Sequence, residues 1–460
     1  MPRRRRQLSV GSADQRKYNR KVYFAYSLLL GLALLLSSPW WLLEMLRHGK
    51  YRAGLGERLG FVPSRLRESR AQTIWIHAVS VGEVLAVTGM VDELKARLRG
   101  WRVVVSTTTD TGQGLAQQRF GESNVFYLPL DFGFAVRAYL HVLCPGILVL
   151  AESEFWPNLL HEARRMGASI AVVNARVSDR SLPRYLQFRS WLRPVMQNVD
   201  IFLAQSEEDA RRLVEIGAPG ERVEVGGNLK FEVKAPVESE TIRAFSAILR
   251  RDGAGPVLVA GSTLEGEDEM LLECFRRTVE QHPNALMVLA PRHPERFESV
   301  ASLLAASELR WQRRSAWDGH SSVSGCVFLL DSIGELASFY DFADLAFVGG
   351  SLVPKGGHNV LEAAQFGVPI LVGPHTENFR DIMRIFQQAD AVQVVTPDSL
   401  TPCVLALLQD ATERERLGQQ ALEVMRAQQG ATTRTVAALL RLLPDAPSIP
   451  SVAVASERKS

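Results

Sequence analysis

The sequence predicts an α/β protein: two Rossmann-like domains, each a parallel sheet covered by helices, behind an N-terminal membrane-anchor helix. Three observations carry this. From Ile74 onward, short Val/Ile/Leu-rich runs alternate with helical patterns, as parallel strands buried on both faces require. The alternation pauses once, at GGNLKFEVKAPVES (Gly226 to Ser239), and then resumes, giving two series and a link. Val22 to Leu43 is a 22-residue apolar run broken only by Ser27, Gly31, Ser37, Ser38 and Pro39. That is long enough for a bilayer core, which takes ~20 residues.

Composition fits this plan. A chain of 460 residues accommodates two or three domains. Its 46% hydrophobic and 22% charged residues are ordinary for a globular protein. A net charge of +3 is too small to argue for a nucleic-acid partner. Cys144, Cys274, Cys326 and Cys403 are scattered, with no Cys-x-x-Cys pair. This argues against a zinc site or a disulfide framework and fits a reducing compartment. No Asp-x-Asp pair is present to hold a nucleotide-bound divalent metal.

Residues 1–21 carry eight Lys/Arg against one acid, Asp14, and are expected to be unstructured. Trp40 and Trp41 close the apolar run where interfacial aromatics belong, and Arg47, Lys50, Arg52 and Arg58 resume the positive charge. Glu44 to Arg47 offers no small-residue cleavage site, against a cleaved signal peptide. A single span would hold the basic N-terminus in the cytoplasm and send the rest outside. A helix lying in the inner leaflet, with both basic flanks on anionic headgroups, suits charge on both sides best. The expected divisions are a basic N-terminus (1–21), an anchor helix (22–46), a first domain (47–235), a second domain (236–443) and an unstructured tail (444–460).

In the first series the expected strands are Ile74–Ser80, Val103–Thr108, Val125–Asp131, Ile147–Ser153, Ile170–Ala175 and Ile201–Ser206. In the second they are Val257–Thr263, Leu286–His293, Val327–Ser332, Leu345–Gly350 and Pro369–Pro374. In such sheets a ligand lies beyond the C-terminal strand ends, so two of them are expected to face each other across a cleft. The first-half ends carry acids: Glu83, and the pair Glu152 and Glu154. Glu83 opens a helix beside Gly82, where a general base is wanted. The bland alternative is a first-turn acid favoured by the helix dipole, which would lower its pKa unless burial raised it. Lys230 is of interest only for its place in the link. In the second half, Arg292 is the natural phosphate ligand, because a planar guanidinium grips phosphate bidentately. His77 and His293 read as packed or hydrogen-bonded rather than catalytic.

One stretch, FVGGSLVPKGGHNVLEAAQFGVPILVGP (Phe347 to Pro374), reads as strand, glycine-rich loop, helix and strand. Two readings stand together. Paired glycines let a ligand approach the backbone, and a helix start offers N–H groups to an anion. Asn359 and Glu362 also have the spacing of a capping box.

The segments WIHAVSVGEV, AESEFWPN, GNLKFE, GSTLEGEDE, APRHPERF and GGSLVPKGGHNVLEAA followed by GPHTENF run in order between about residues 50 and 435. As a set they resemble the 3-deoxy-D-manno-octulosonic acid (Kdo) transferases of lipopolysaccharide biosynthesis. That family usually has Thr-Glu-Thr-Glu where this chain has Ala151-Glu152-Ser153-Glu154, and both acids survive. The resemblance implies a GT-B fold and transfer of Kdo from CMP-Kdo to a lipid A precursor of the lipid IVA type. It implies neither metal nor cofactor, and catalytic domains on the cytoplasmic side of the inner membrane. By motif, Glu83 resembles the catalytic base, and Glu152 and Lys230 resemble residues that stabilise the transition state. Pro291 and Arg292, then Ile333, Gly334 and Glu335, then Asn359, Val360, Leu361 and Glu362 resemble the CMP site. Two rivals are a GT-B transferase or epimerase using a UDP-sugar, and a membrane-tethered scaffold that has lost the chemistry.

Overall fold

The computed structural model describes residues 13–48, 54–67, 71–233 and 239–443. The first 12 residues and residues 444–460 lie outside these, and with them most of the expected basic N-terminus and the whole expected tail. The chain divides into two compact units, residues 1–232 with 430–460, and residues 233–429.

In the first unit the strands are β1 (Thr73–His77), β2 (Arg102–Thr107), β3 (Val125–Tyr127), β4 (Pro145–Ala151), β5 (Ser169–Ala175), β6 (Ile201–Ala204) and β7 (Val223–Val225). They form one seven-stranded parallel sheet in the order β3-β2-β1-β4-β5-β6-β7. This is the doubly wound Rossmann order, which reverses direction between β1 and β4. Each face carries its own core: Trp75, Phe126, Tyr139 and Phe202 on one, Ile76, Val87, Met90 and Val149 on the other. Strands buried on both faces cannot alternate apolar with polar, hence the continuous Val/Ile/Leu runs.

In the second unit the strands are β8 (Val257–Thr263), β9 (Leu286–Pro291), β10 (Trp311–Arg313), β11 (Val327–Leu329), β12 (Leu345–Val348), β13 (Ile370–Val372) and β14 (Gln393–Val394). They too form a seven-stranded parallel sheet, in the order β10-β11-β9-β8-β12-β13-β14. The direction reverses between β8 and β12, so the ends of β8, β9 and β12 frame the expected ligand crevice of this unit. Two Rossmann-like parallel units of this kind are the GT-B plan.

Three features differ from the sequence reading. The helix Ala431–Arg441, expected with the second domain, packs on the first: Val436, Leu439 and Leu440 join the core around the helix Val81–Arg97. Its amphipathic pattern requires a sheet to cover but does not say which one. The N-terminal helix begins at Ala13 and runs to His48, so residues 13–21 are helical rather than unstructured. The short edge strands β7, β10 and β14 were not anticipated, since two or three residues carry no periodicity.

Within the N-terminal helix, Val22–Trp40 is long and apolar enough to cross a membrane. Its first turns lie against the first unit. The Tyr23 ring stacks on His161 at 4.1 Å, and its hydroxyl accepts a hydrogen bond from Asn198 Nδ2 at 2.9 Å. Ser27 Oγ accepts one from Asn158 Nδ2 at 3.0 Å.

Candidate active site

At the switch edge of the first sheet, β1 runs into the helix Val81–Arg97, whose N-cap is Ser80. Glu83 is its third residue. Gly82 lies inside the first turn. The Glu83 side chain folds back: Oε2 accepts from the Val79 amide at 2.8 Å and Oε1 from Ser80 Oγ at 3.0 Å. Glu83 is only 8% exposed, and burial is the main force raising its pKa to about 7. The two hydrogen bonds oppose the rise, while the charges of Glu152 and Glu154 add to it. Desolvation therefore outweighs the two hydrogen bonds, leaving a carboxylate able to accept a proton near neutrality.

Glu152 follows β4 directly. Its φ of 57° places a non-glycine residue in the left-handed region, a strain that tends to be kept where it aims a functional side chain. The strand has ended at Ala151, so pleat alternation does not set where Glu152 and Glu154 point. The Glu152 carboxylate lies 2.7 Å from Lys230 Nζ, an ionic contact whose approach is off the direction of a hydrogen bond. Lys230 sits in a single turn, Leu229–Phe231, held from two sides: Asn228 Oδ1 accepts from the Lys230 amide and Asn174 Oδ1 from the Leu229 amide. Asn174 is itself buried at φ 53° inside β5, where the strand's register with β6 shifts. A residue in the apparent link is thus fixed to the first sheet and paired with a strand-end acid. Glu83, Glu152 and Lys230 form one group, with Glu154, also raised by burial, beside them. His77 is buried, bonded to Ser106 and pushed down to about 4 by desolvation, a packed histidine as expected.

In the second unit, Pro291 ends β9 and the Arg292 amide donates to Thr263 O at 3.0 Å. Its guanidinium is exposed, and its positive charge counters the burial that raises Glu362 and helps to lower His358. Burial, then Arg292 and His293, push His358 to about 4, so it is neutral. Its Nε2 is buried without a hydrogen-bond partner. Asn359 Oδ1 accepts from the Leu361 amide at 3.2 Å. The helix that follows is a single turn, Leu361–Ala364, and Asn359 and Glu362 bond to each other through their side chains. This is an Asx turn rather than the reciprocal capping box. Val360 and Leu361 are buried. Ile333 and Gly334, at φ 89°, form an open loop after β11. Glu335 pairs with Arg314 at 2.9 Å.

The start of the glycine-rich stretch is occupied from within. The amides of Gly350, Ser351 and Leu352 all donate to the carboxylate of Glu267, as does the Leu264 amide, at 2.7–2.9 Å. Glu267 is fully buried and fills that nest itself. Beside it, Asp268 accepts from Thr263 Oγ1 and pairs with Arg296. Glu267 and His358 were missed. The acid in GSTLEGEDE directly after β8, and the histidine between the glycines and Asn359, were the available signals.

The two parallel sheets define a class, the proteins of the GT-B fold. The profile of the 3-deoxy-D-manno-octulosonic-acid transferase (kdotransferase) family matches residues 53–233. The chain is 36% identical to the 3-deoxy-D-manno-octulosonic acid transferase of Haemophilus influenzae over 84% of its length and 90% of the relative's. It is 36% identical to that of Bordetella pertussis over 90% and 98%. The chain belongs to the Kdo transferase family. A solved UDP-N-acetylglucosamine 2-epimerase has the same fold at 14% identity, with TM-score 0.50 over 83% of this chain and 99% of that one.

Proposed function

We propose that this protein transfers Kdo from CMP-Kdo to a lipid A precursor of the lipid IVA type, without a metal. A hydroxyl of the acceptor attacks the anomeric carbon of Kdo. The bond to the CMP phosphate breaks, through an oxocarbenium-like state of the kind known in glycoside hydrolysis. Glu83 takes the hydroxyl proton as the new glycosidic bond forms. The observation that carries this is a carboxylate held near pKa 7 within the Glu152–Lys230 group of a Kdo transferase chain. Lys230, held by Glu152, offers positive charge to the anionic groups of the reacting pair.

In this reading the second unit holds the donor. Arg292 grips the phosphate, and Pro291, Ile333, Gly334 and Glu335 border the nucleotide. Asn359, Val360, Leu361 and Glu362 contribute backbone groups and a carboxylate for the ribose. CMP leaves with its charge met by Arg292 and amides. The apolar helix Val22–Trp40 brings the enzyme to a lipid acceptor, from the cytoplasmic face of the inner membrane, where a nucleotide-activated sugar is available. Thermal protection by nucleotides tests the donor class: CMP is expected to raise the melting temperature and UDP is not. Protection by UDP alone would favour the UDP-sugar reading.

A further inference from the structure

The N-terminal helix is not a loose tether. Over Tyr23 to Ser27 it is fixed to the first unit. Tyr23 bonds Asn198 and Pro194 O, Tyr26 bonds Asp131, and Ser27 bonds Asn158. In the same turns, Phe24 and Leu28 face outward, 71% and 63% exposed. A bilayer that covers Phe24 and Leu28 therefore reaches the surface of the domain beside them.

That surface is built for it. Tyr23 touches the end of the helix Arg189–Met196 through Pro194. At the start of the same helix, Phe188 and Trp191 are 54% and 42% exposed. Around them stand Arg180, Arg184, Arg189 and Arg193, all exposed, and no acid occurs between Asp179 and Asp200. Exposed aromatics among unopposed arginines match the chemistry of an anionic lipid headgroup layer. Two membrane signals together anchor far more firmly than one.

We infer that the Phe188–Trp191 segment and its arginines form a second membrane contact, continuous with the N-terminal helix, seated on the anionic headgroups of the bilayer. The contact and the pinned helix together set the orientation of the first sheet against the membrane, which a tether alone would leave free. The inference does not depend on which sugar is transferred.

The test uses the full-length protein with Cys144 and Cys403 replaced by serine and an environment-sensitive dye on Ser190→Cys. The protein is reconstituted into vesicles containing brominated phosphatidylcholine, with or without phosphatidylglycerol. The dye is expected to blue-shift and be quenched when phosphatidylglycerol is present. A dye on Gln118→Cys, on the helix Asp110–Phe120 that packs on the opposite sheet face, is expected to stay water-like. Each arginine near an anionic surface is worth about fivefold in partition, so Arg184→Glu with Arg189→Glu is expected to abolish the quenching at position 190. Co-flotation with the vesicles, which the N-terminal helix secures, confirms that this variant is still inserted. A water-like dye at position 190 in anionic vesicles overturns the inference. So does quenching that ignores lipid charge, or burial of the dye that grows with protein concentration in detergent, which would mean a second copy covers the patch.

Discussion

Glu83→Gln separates what this carboxylate does for catalysis from what it costs the fold. The wild-type group has its pKa raised from an ordinary 4.5 to about 7, chiefly by burial. A raised carboxylate pKa means that the folded state holds the proton more tightly than the unfolded state. The stability this provides is complete below pH 4.5 and is lost as pH rises through 7. The interval corresponds to about 3 kcal/mol. Glutamine never ionises. Its amide oxygen can keep the Val79 bond and its NH₂ can donate to Ser80 Oγ, so the packing is retained. The variant's stability relative to wild type should therefore climb by about 3 kcal/mol between pH 4.5 and pH 8. At about 2–4 °C per kcal/mol for a domain of this size, that is a relative gain of about 6–12 °C in melting temperature. At pH 8 the variant's transfer rate should be about 10²–10⁴-fold below that of wild type, the usual worth of a general base, and the gap should close as the pH falls below 7. Wild-type kcat/KM should drop tenfold per pH unit below about 7. Paired melts at pH 4.5 and 8 with a rate profile measure all three. A melting difference that stays flat with pH, or an acid limb near 4.5, would refute the argument that Glu83 is a desolvated base.

Four further outcomes follow from the geometry. Lys230→Met should lower kcat by about 100-fold with nucleotide protection unchanged, since Lys230 belongs to the first unit and the donor residues to the second. Arg292→Ala should raise the donor KM by about 10–100-fold, read in steady-state kinetics, the cost of losing a charged hydrogen-bond donor. Glu267→Gln should destabilise the second unit by about 3 kcal/mol in denaturant melts, because an amide cannot accept from four N–H groups. Incubation with EDTA should leave the transfer rate unchanged, and a loss restored by a divalent cation would contradict the metal-free mechanism.

Much of this was legible in the chain. Strands buried on both faces wrote themselves as unbroken apolar runs, so the two-sheet plan and the positions of Glu83, Glu152 and Arg292 at strand ends could be read directly. Lys230 could not, because its pairing with Glu152 depends on Asn174 and Asn228 holding a single turn in place, a contact across 55 residues between Asn174 and Leu229. Glu267 was invisible for the same reason: a buried acid 83 residues from Gly350 has no local pattern to betray it. The last helix was placed with the wrong domain, since amphipathicity specifies that a face is buried and not by what.

The most direct test of the central claim is a product assay. Purified full-length protein is given a tetraacylated lipid A precursor, with CMP-Kdo generated in place, and the lipid is weighed by mass spectrometry beside the Glu83→Gln variant. The account predicts a mass gain of one or more Kdo units with wild type and almost none with the variant. A gain that survives the substitution would mean that another carboxylate is the base. No gain with active donor and several acyl variants would contradict Kdo transfer itself.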